Sequence, residues 1–215
     1  MLNRLVDYIE QYNQSPWERL RNTFVLMLST MGLYLLINYN QASEIDLLMP
    51  LDQQIPYWPW TISIYVTLYI MYLTAAIVLT PRHYAVMLIS VLWLALFSFA
   101  CFILFTSHYP RPDPSEWAHS VWKPLIDFMV SIDPPGNTCP SLHVSTSLYV
   151  GWSLRQSRLG GFWLLWALLV SLSTLTLKQH FVWDWICGTL LVIVTVLGEK
   201  GLQLFHSSPE EIDEL

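Results

Sequence analysis

The chain has 215 residues, 54% of them hydrophobic and 12% charged, with a mean hydropathy of +0.43 and a formal net charge of −6. Soluble domains carry roughly 25% charged residues, so an ordinary soluble domain is excluded, and apolar runs of about 20 residues predict an integral membrane protein. The negative balance owes much to Glu210, Glu211, Asp213 and Glu214. It therefore says nothing about a substrate's charge, and no nucleic-acid partner is expected. The cysteines, Cys101, Cys139 and Cys187, are odd in number and match no zinc spacing, so neither a disulfide framework nor a structural metal is inferred.

In chain order, residues 1–22 mix Leu2, Leu5, Val6 and Ile9 at helical spacing with acids and arginines. This predicts an amphipathic helix on the membrane face, in a segment too polar for a secretory signal peptide. Pro16 should open a second helix with Ser15 as its N-cap. Six spans are expected, at 23–39, 61–80, 84–106, 140–154, 161–177 and 181–197. The first link, 40–59, has no Lys or Arg but carries Glu44, Asp46 and Asp52. Within it 51–56 should lie along the surface, and Tyr57-Trp58-Pro59-Trp60 reads as an interfacial aromatic belt. Pro81-Arg82-His83 predicts a tight turn. The long loop 107–138 holds Trp117, Trp122, Leu125, Ile126, Phe128 and Met129, enough apolar residues to fold onto a surface. The tail, 199–215, is acidic and expected to be loosely ordered. The expectation is an all-α membrane protein, a six-transmembrane-helix bundle forming one domain over 1–215.

Six spans place both termini on one side. With that side inside, the inner links hold Arg4, Arg19, Arg21, Arg82, Arg155, Arg158 and Lys200, seven of the ten basic residues. The outer links hold Arg111, Lys123 and Lys178. The positive-inside rule then predicts cytoplasmic termini in an inner or plasma membrane.

Three outer segments carry chemistry. Cys139-Pro140-Ser141-Leu142-His143 sits where a polar stretch meets an apolar run. Pro140 suits a first helical turn, and the helix start offers free amides at Ser141 to His143 and the positive dipole end, an anion site. His143 can carry a proton near neutral pH. His180 and Asp184, four apart, would share a helix face. The carboxylate would then fix the imidazole tautomer and leave the other nitrogen nucleophilic. Arg111 offers a planar fork for two phosphate oxygens. His180 and Asp184 could also ligate zinc, with His143 or Glu116 as a third ligand, but Arg111 and Lys178 nearby favour an anion over a cation.

Together, Arg111-Pro112, Pro140-Ser141-Leu142-His143 and His180-Phe181-Val182-Trp183-Asp184 resemble the motifs of the type 2 phosphatidic acid phosphatase superfamily. Those motifs read Lys-x6-Arg-Pro, Pro-Ser-x-His and Ser-Arg-x5-His-x3-Asp. The resemblance covers roughly residues 104–188. It implies that His180 is the nucleophile, Asp184 orients it, His143 is the general acid, and Arg111 and Ser141 bind phosphate, with the Leu142 amide beside them. Two cations of the pattern are absent, since Leu104 and Thr174 stand at their positions. Lys178 is a candidate to replace them, and Lys123 a weaker one. Ser173-Thr174 in place of Ser-Arg resembles the branch that includes inositol phosphorylceramide synthases.

The expected function is a membrane lipid phosphatase that cleaves a phosphate mono- or diphosphate ester through a phosphohistidine, without metal or other cofactor, on the extracytoplasmic face. A lipid phosphotransferase and a non-catalytic lipid or anion transporter are the alternatives.

Overall fold

The computed structural model describes residues 2–40 and 45–202. The expectations placed on Glu44 and on most of the acidic tail lie outside the described residues. The architecture is all-α. Helix α1 spans Leu2–Gln11, α2 Pro16–Tyr39, α3 Pro50–Gln54, α4 Ile62–Tyr65, α5 Leu68–Val78, α6 Pro81–Leu104, α7 Lys123–Ile132, α8 Leu142–Ser153, α9 Gly160–Thr176 and α10 Val182–Gly201. Two short strands, β1 (Ile45–Asp46) and β2 (Ser107–His108), pair in parallel.

Local chemistry sets the helix starts. Ser15 caps α2 in a reciprocal box with Glu18, and Pro16 occupies the first turn, where its missing N–H costs nothing. That helix continues without a break to Tyr39, so the polar residues after Pro16 are the first turns of the long helix and not a separate interfacial piece. The buried Arg19 explains the continuity. Its guanidinium donates to the Ala76, Asn13 and Gln14 carbonyls, so the charge is satisfied inside the fold. Pro81 likewise opens α6, with Thr80 as cap accepting from the His83 amide. The expected tight turn at 81–83 is thus the helix start itself.

Among the described residues, four helical segments are long and apolar enough to cross a membrane: Pro16–Tyr39, Pro59–Val78, Pro81–Leu104 and Val182–Gly201. The second of these is interrupted, passing from a 3-10 turn (Pro59–Thr61) through α4 to α5. Helix α9 is apolar but shorter, and α8 has only 12 residues. At about 1.5 Å per residue α8 is too short to cross a hydrocarbon core of about 30 Å unaided. It is also the central helix, packed by α5, α6, α9 and α10. Val144, Ser145, Ser147, Tyr149 and Val150 are all buried on it, which is why its sequence can be polar. Gly151 lets α9 approach, since a Cβ there would stand 2.4 Å from the Ala167 Cβ.

The links gather at two ends. At one end Trp58 N–H donates to Thr176 O, Asn38 to Pro134 O, Ile45 N–H to Thr106 O and Ser141 N–H to Asp184 O. Helix α7 lies there over a cluster of Ile62, Trp117, Ile126 and Leu177, so loop 107–138 folds onto the bundle end. At the other end α1 docks on α6, with Val6 buried against Ala85 and Val86 and Arg82 paired with Asp7 and Glu10.

Candidate active site

The end that carries α7 also carries the candidate site residues. Helix α8 begins there with Ser141 as N-cap, its hydroxyl accepting the Val144 N–H at 3.1 Å. Pro140 stands just before the cap and not in the first helical turn, joined to Cys139 by a cis peptide. Ser141 is fully buried, and its own N–H is held by the Asp184 carbonyl at 3.2 Å. Gly188 makes this approach possible, because a Cβ there would sit 2.9 Å from the Ser141 carbonyl oxygen. Leu142 and His143 supply the first two amides of α8, which by their position have no carbonyl partner within the helix.

His180 and Asp184 meet, though not on a common helix face. Phe181 is the N-cap of α10, so His180 precedes the helix and Asp184 occupies its third position. Asp184 is fully buried. Its Oδ2 accepts the Phe181 N–H at 2.9 Å and lies 3.3 Å from His180 Nδ1. The His180 amide points at Thr174 O, 3.3 Å away. The carboxylate therefore caps the helix and positions the imidazole at once.

His143 is held by Tyr65. The two rings stack with centroids 3.7 Å apart, and His143 Nε2 lies 3.0 Å from the Tyr65 carbonyl oxygen. Arg111 donates from Nη1 to Gln179 Oε1 at 3.0 Å and from Nη2 to the Asp133 carbonyl, while its Nε is buried without a protein partner. Lys178 adopts a left-handed backbone (φ 53°) and donates from Nζ to the Asp52 carbonyl at 2.5 Å. Burial lowers the Lys178 ammonium's pKa, opposed by Asp52.

Arg111, Leu142, His143, Lys178 and His180 all line one cavity of about 260 Å³. Its polar end is formed by these residues with Asp133 and Gln179. Its other walls are apolar, from Met27 and Met31 of α2, Tyr69 and Tyr72 of α5, and Val91 and Ala95 of α6. A second, outward cleft of about 500 Å³ shares Tyr109 and Lys178 with the first and includes Asp52 and Glu116. Ser141 contributes through its helix cap and is not in the cavity wall. Lys123 sits on α7, paired with Asp127 at 2.5 Å. Leu104 is largely exposed at the end of α6, whereas Thr174 is buried with its hydroxyl on Ser171 O. Among the described residues no three His, Cys, Asp or Glu side chains group as a metal site.

Four supporting residues escape a motif-based reading. Asp52, buried on α3, accepts the Met49 and Val182 amides at 2.8 Å each; segment 51–56 is thus anchored into the site by one side chain. Asp133 accepts from the Tyr34 hydroxyl at 2.7 Å and faces Arg111. Burial raises the Asp133 carboxyl's pKa, partly offset by Tyr34 and Arg111. Tyr65 and Gln179 complete the set. Asp52 stood out in the sequence only as an acid of link 40–59, and nothing in its spacing links it to His180.

No protein-family model, curated protein or solved structure matches this chain.

Proposed function

We propose that the protein is a membrane lipid phosphatase that works through a phosphohistidine at His180. The single observation that carries this reading is the convergence of His180 (backed by buried Asp184), His143 and Arg111 on one end of a cavity whose other walls are apolar. An anionic headgroup suits the polar end and an acyl chain the rest. In this reading the six spans are α2, α4 with α5, α6, α8, α9 and α10, the short α8 being enclosed by α5, α6, α9 and α10 and so not crossing lipid unaided. The excess of Lys and Arg at the α1 end supports cytoplasmic termini, with the cavity's polar end on the opposite face.

In this mechanism the His180 Nδ1–H donates to Asp184, which leaves the Nε2 lone pair to attack phosphorus. The N–P bond forms as the ester P–O bond breaks. His143 enters the step as the imidazolium: its Nε2–H donates to Tyr65 O, and its Nδ1–H gives the proton to the leaving alkoxide, which leaves the neutral Nε2–H imidazole. Water then gives a proton back to His143 and attacks the phosphohistidine, and phosphate departs. Arg111 holds nonbridging oxygens, with the Leu142 and His143 amides at the α8 start. The outward cleft offers water a route beside Lys178.

Phosphate release by detergent-purified protein from a panel of lipid phosphates and diphosphates tests the reading, with His180→Ala as control. Release by the wild type alone supports it. Turnover only when a lipid alcohol is added would mark a phosphotransferase, and binding without turnover a transporter.

A further inference from the structure

The polar end of the cavity holds a carboxylate that the phosphohistidine chemistry does not use. Asp133 caps the end of α7, and its main chain is pinned by α2: Asn38 donates to Pro134 O at 2.9 Å and Tyr39 to Ile132 O at 3.2 Å. Both side-chain hydrogen bonds fall on one oxygen. Oδ1 accepts the Tyr34 hydroxyl at 2.7 Å and the Asn38 amide at 3.3 Å. Oδ2 is 3.7 Å from Arg111 Nη2, beyond hydrogen-bond reach, because that nitrogen is turned to the Asp133 carbonyl. The carboxylate therefore keeps an acceptor lobe beside Arg111, and its side chain retains 24% of its surface in the cavity wall.

A pocket made only for phosphate gains nothing from this carboxylate, which repels the phosphate oxygens and weakens the adjacent guanidinium. Fixing it from two residues of α2 makes sense if the ligand brings a donor to it. We infer that Asp133 is a specificity-determining residue which accepts a hydrogen bond from a hydroxyl on the lipid phosphate, close to the phosphorylated carbon. The substrate class is thus a hydroxyl-bearing lipid phosphate monoester, with Arg111 on the phosphate and Asp133 on the hydroxyl. The inference rests on the phosphatase reading above.

The test compares 1-oleoyl-glycerol 3-phosphate with its 2-deoxy counterpart, which differ by one hydroxyl, on wild type, Asp133→Asn and Tyr34→Phe. Wild type should prefer the hydroxyl-bearing lipid by about tenfold or more in kcat/KM, as expected when a buried charged acceptor loses its donor. Asp133→Asn should abolish the preference by lowering turnover of the hydroxyl-bearing lipid alone. Tyr34→Phe, which frees the carboxylate without removing it, should reduce the preference while keeping its direction. Equal turnover of both lipids by wild type overturns the inference and leaves the phosphatase reading standing, even if Asp133→Asn does not fold. An equal fall for both lipids in Asp133→Asn also overturns it, since Asp133 would then only hold Arg111 in place. No phosphate release from either lipid by wild type, when other lipid phosphates are cleaved, overturns the inference too. No release from any lipid phosphate removes the phosphatase reading and this inference with it.

Discussion

His180 Nδ1 lies 3.3 Å from Asp184 Oδ2, the same oxygen that receives the Phe181 N–H at 2.9 Å. One buried carboxylate thus ties the tautomer of the imidazole to the first turn of α10. Asp184→Asn keeps an acceptor for the Phe181 amide but loses the charge that stabilises a developing imidazolium. It should lower kcat by about a hundredfold or more with little loss of thermal stability. Initial rates beside a melting curve check this, and a variant with more than a tenth of the wild-type rate would speak against the pairing's catalytic role.

Asp52 fastens α3 to the start of α10 through the Val182 amide at 2.8 Å and the Met49 amide at 2.8 Å. Removing the carboxylate strands two amides beside the loop that carries His180. Asp52→Ala should destabilise the protein by about 3 kcal/mol, and Asp52→Asn, which keeps one acceptor, by about half of that. Unfolding in mild detergent measures both. Indistinguishable melting of Asp52→Ala and wild type would mean that the outer link is not fastened there.

Far from the cavity, Glu199 is buried near the end of α10, where its Oε1 accepts from Ser90 of α6 and Tyr149 of α8. This joins three helices at the end opposite His180. Tyr149→Phe should cost about 1–3 kcal/mol of stability, because it leaves a buried acceptor short of a donor. The KM for a cleaved lipid should not change. A raised KM with unchanged stability would place Glu199 in the binding machinery instead.

The Asp133 carboxyl is raised by burial. A group whose folded pKa exceeds its unfolded value, about 3.9 for Asp, contributes stability that is complete below the unfolded value. That contribution is lost as pH rises through the folded one. The melting temperature of Asp133→Asn relative to wild type should therefore climb as pH increases from about 4. A difference that stays flat, or falls with pH, would mean that Arg111 and Tyr34 outweigh the burial.

The long apolar helices were legible from the sequence because composition and caps speak locally, whereas α3 and α7, inside expected links, were not. Ser15 before Pro16 and an apolar run starting near Phe181 mark helix starts without tertiary knowledge. The break after Tyr65 and the continuity of α2 were not legible, since Arg19 looks like a surface charge until its carbonyl partners are in place. His143, His180 and Arg111 were found by residue type at apolar edges, and they do line one cavity. Asp133 and Asp52 were missed for a physical reason. Each acts through partners roughly a hundred residues away in sequence, Tyr34 for one and Val182 for the other, and local pattern does not encode such pairs.

The most direct test of the phosphohistidine is chemical capture. Purified protein is mixed with a cleavable lipid carrying labelled phosphate, with EDTA present, and quenched in alkali within the first turnover. An alkali-stable, acid-labile label on wild type, absent from His180→Ala and accumulating in His143→Ala when water attack is slowed, is the predicted result. Phosphate release with no label trapped in any of the three, or a label that persists in His180→Ala, would contradict it.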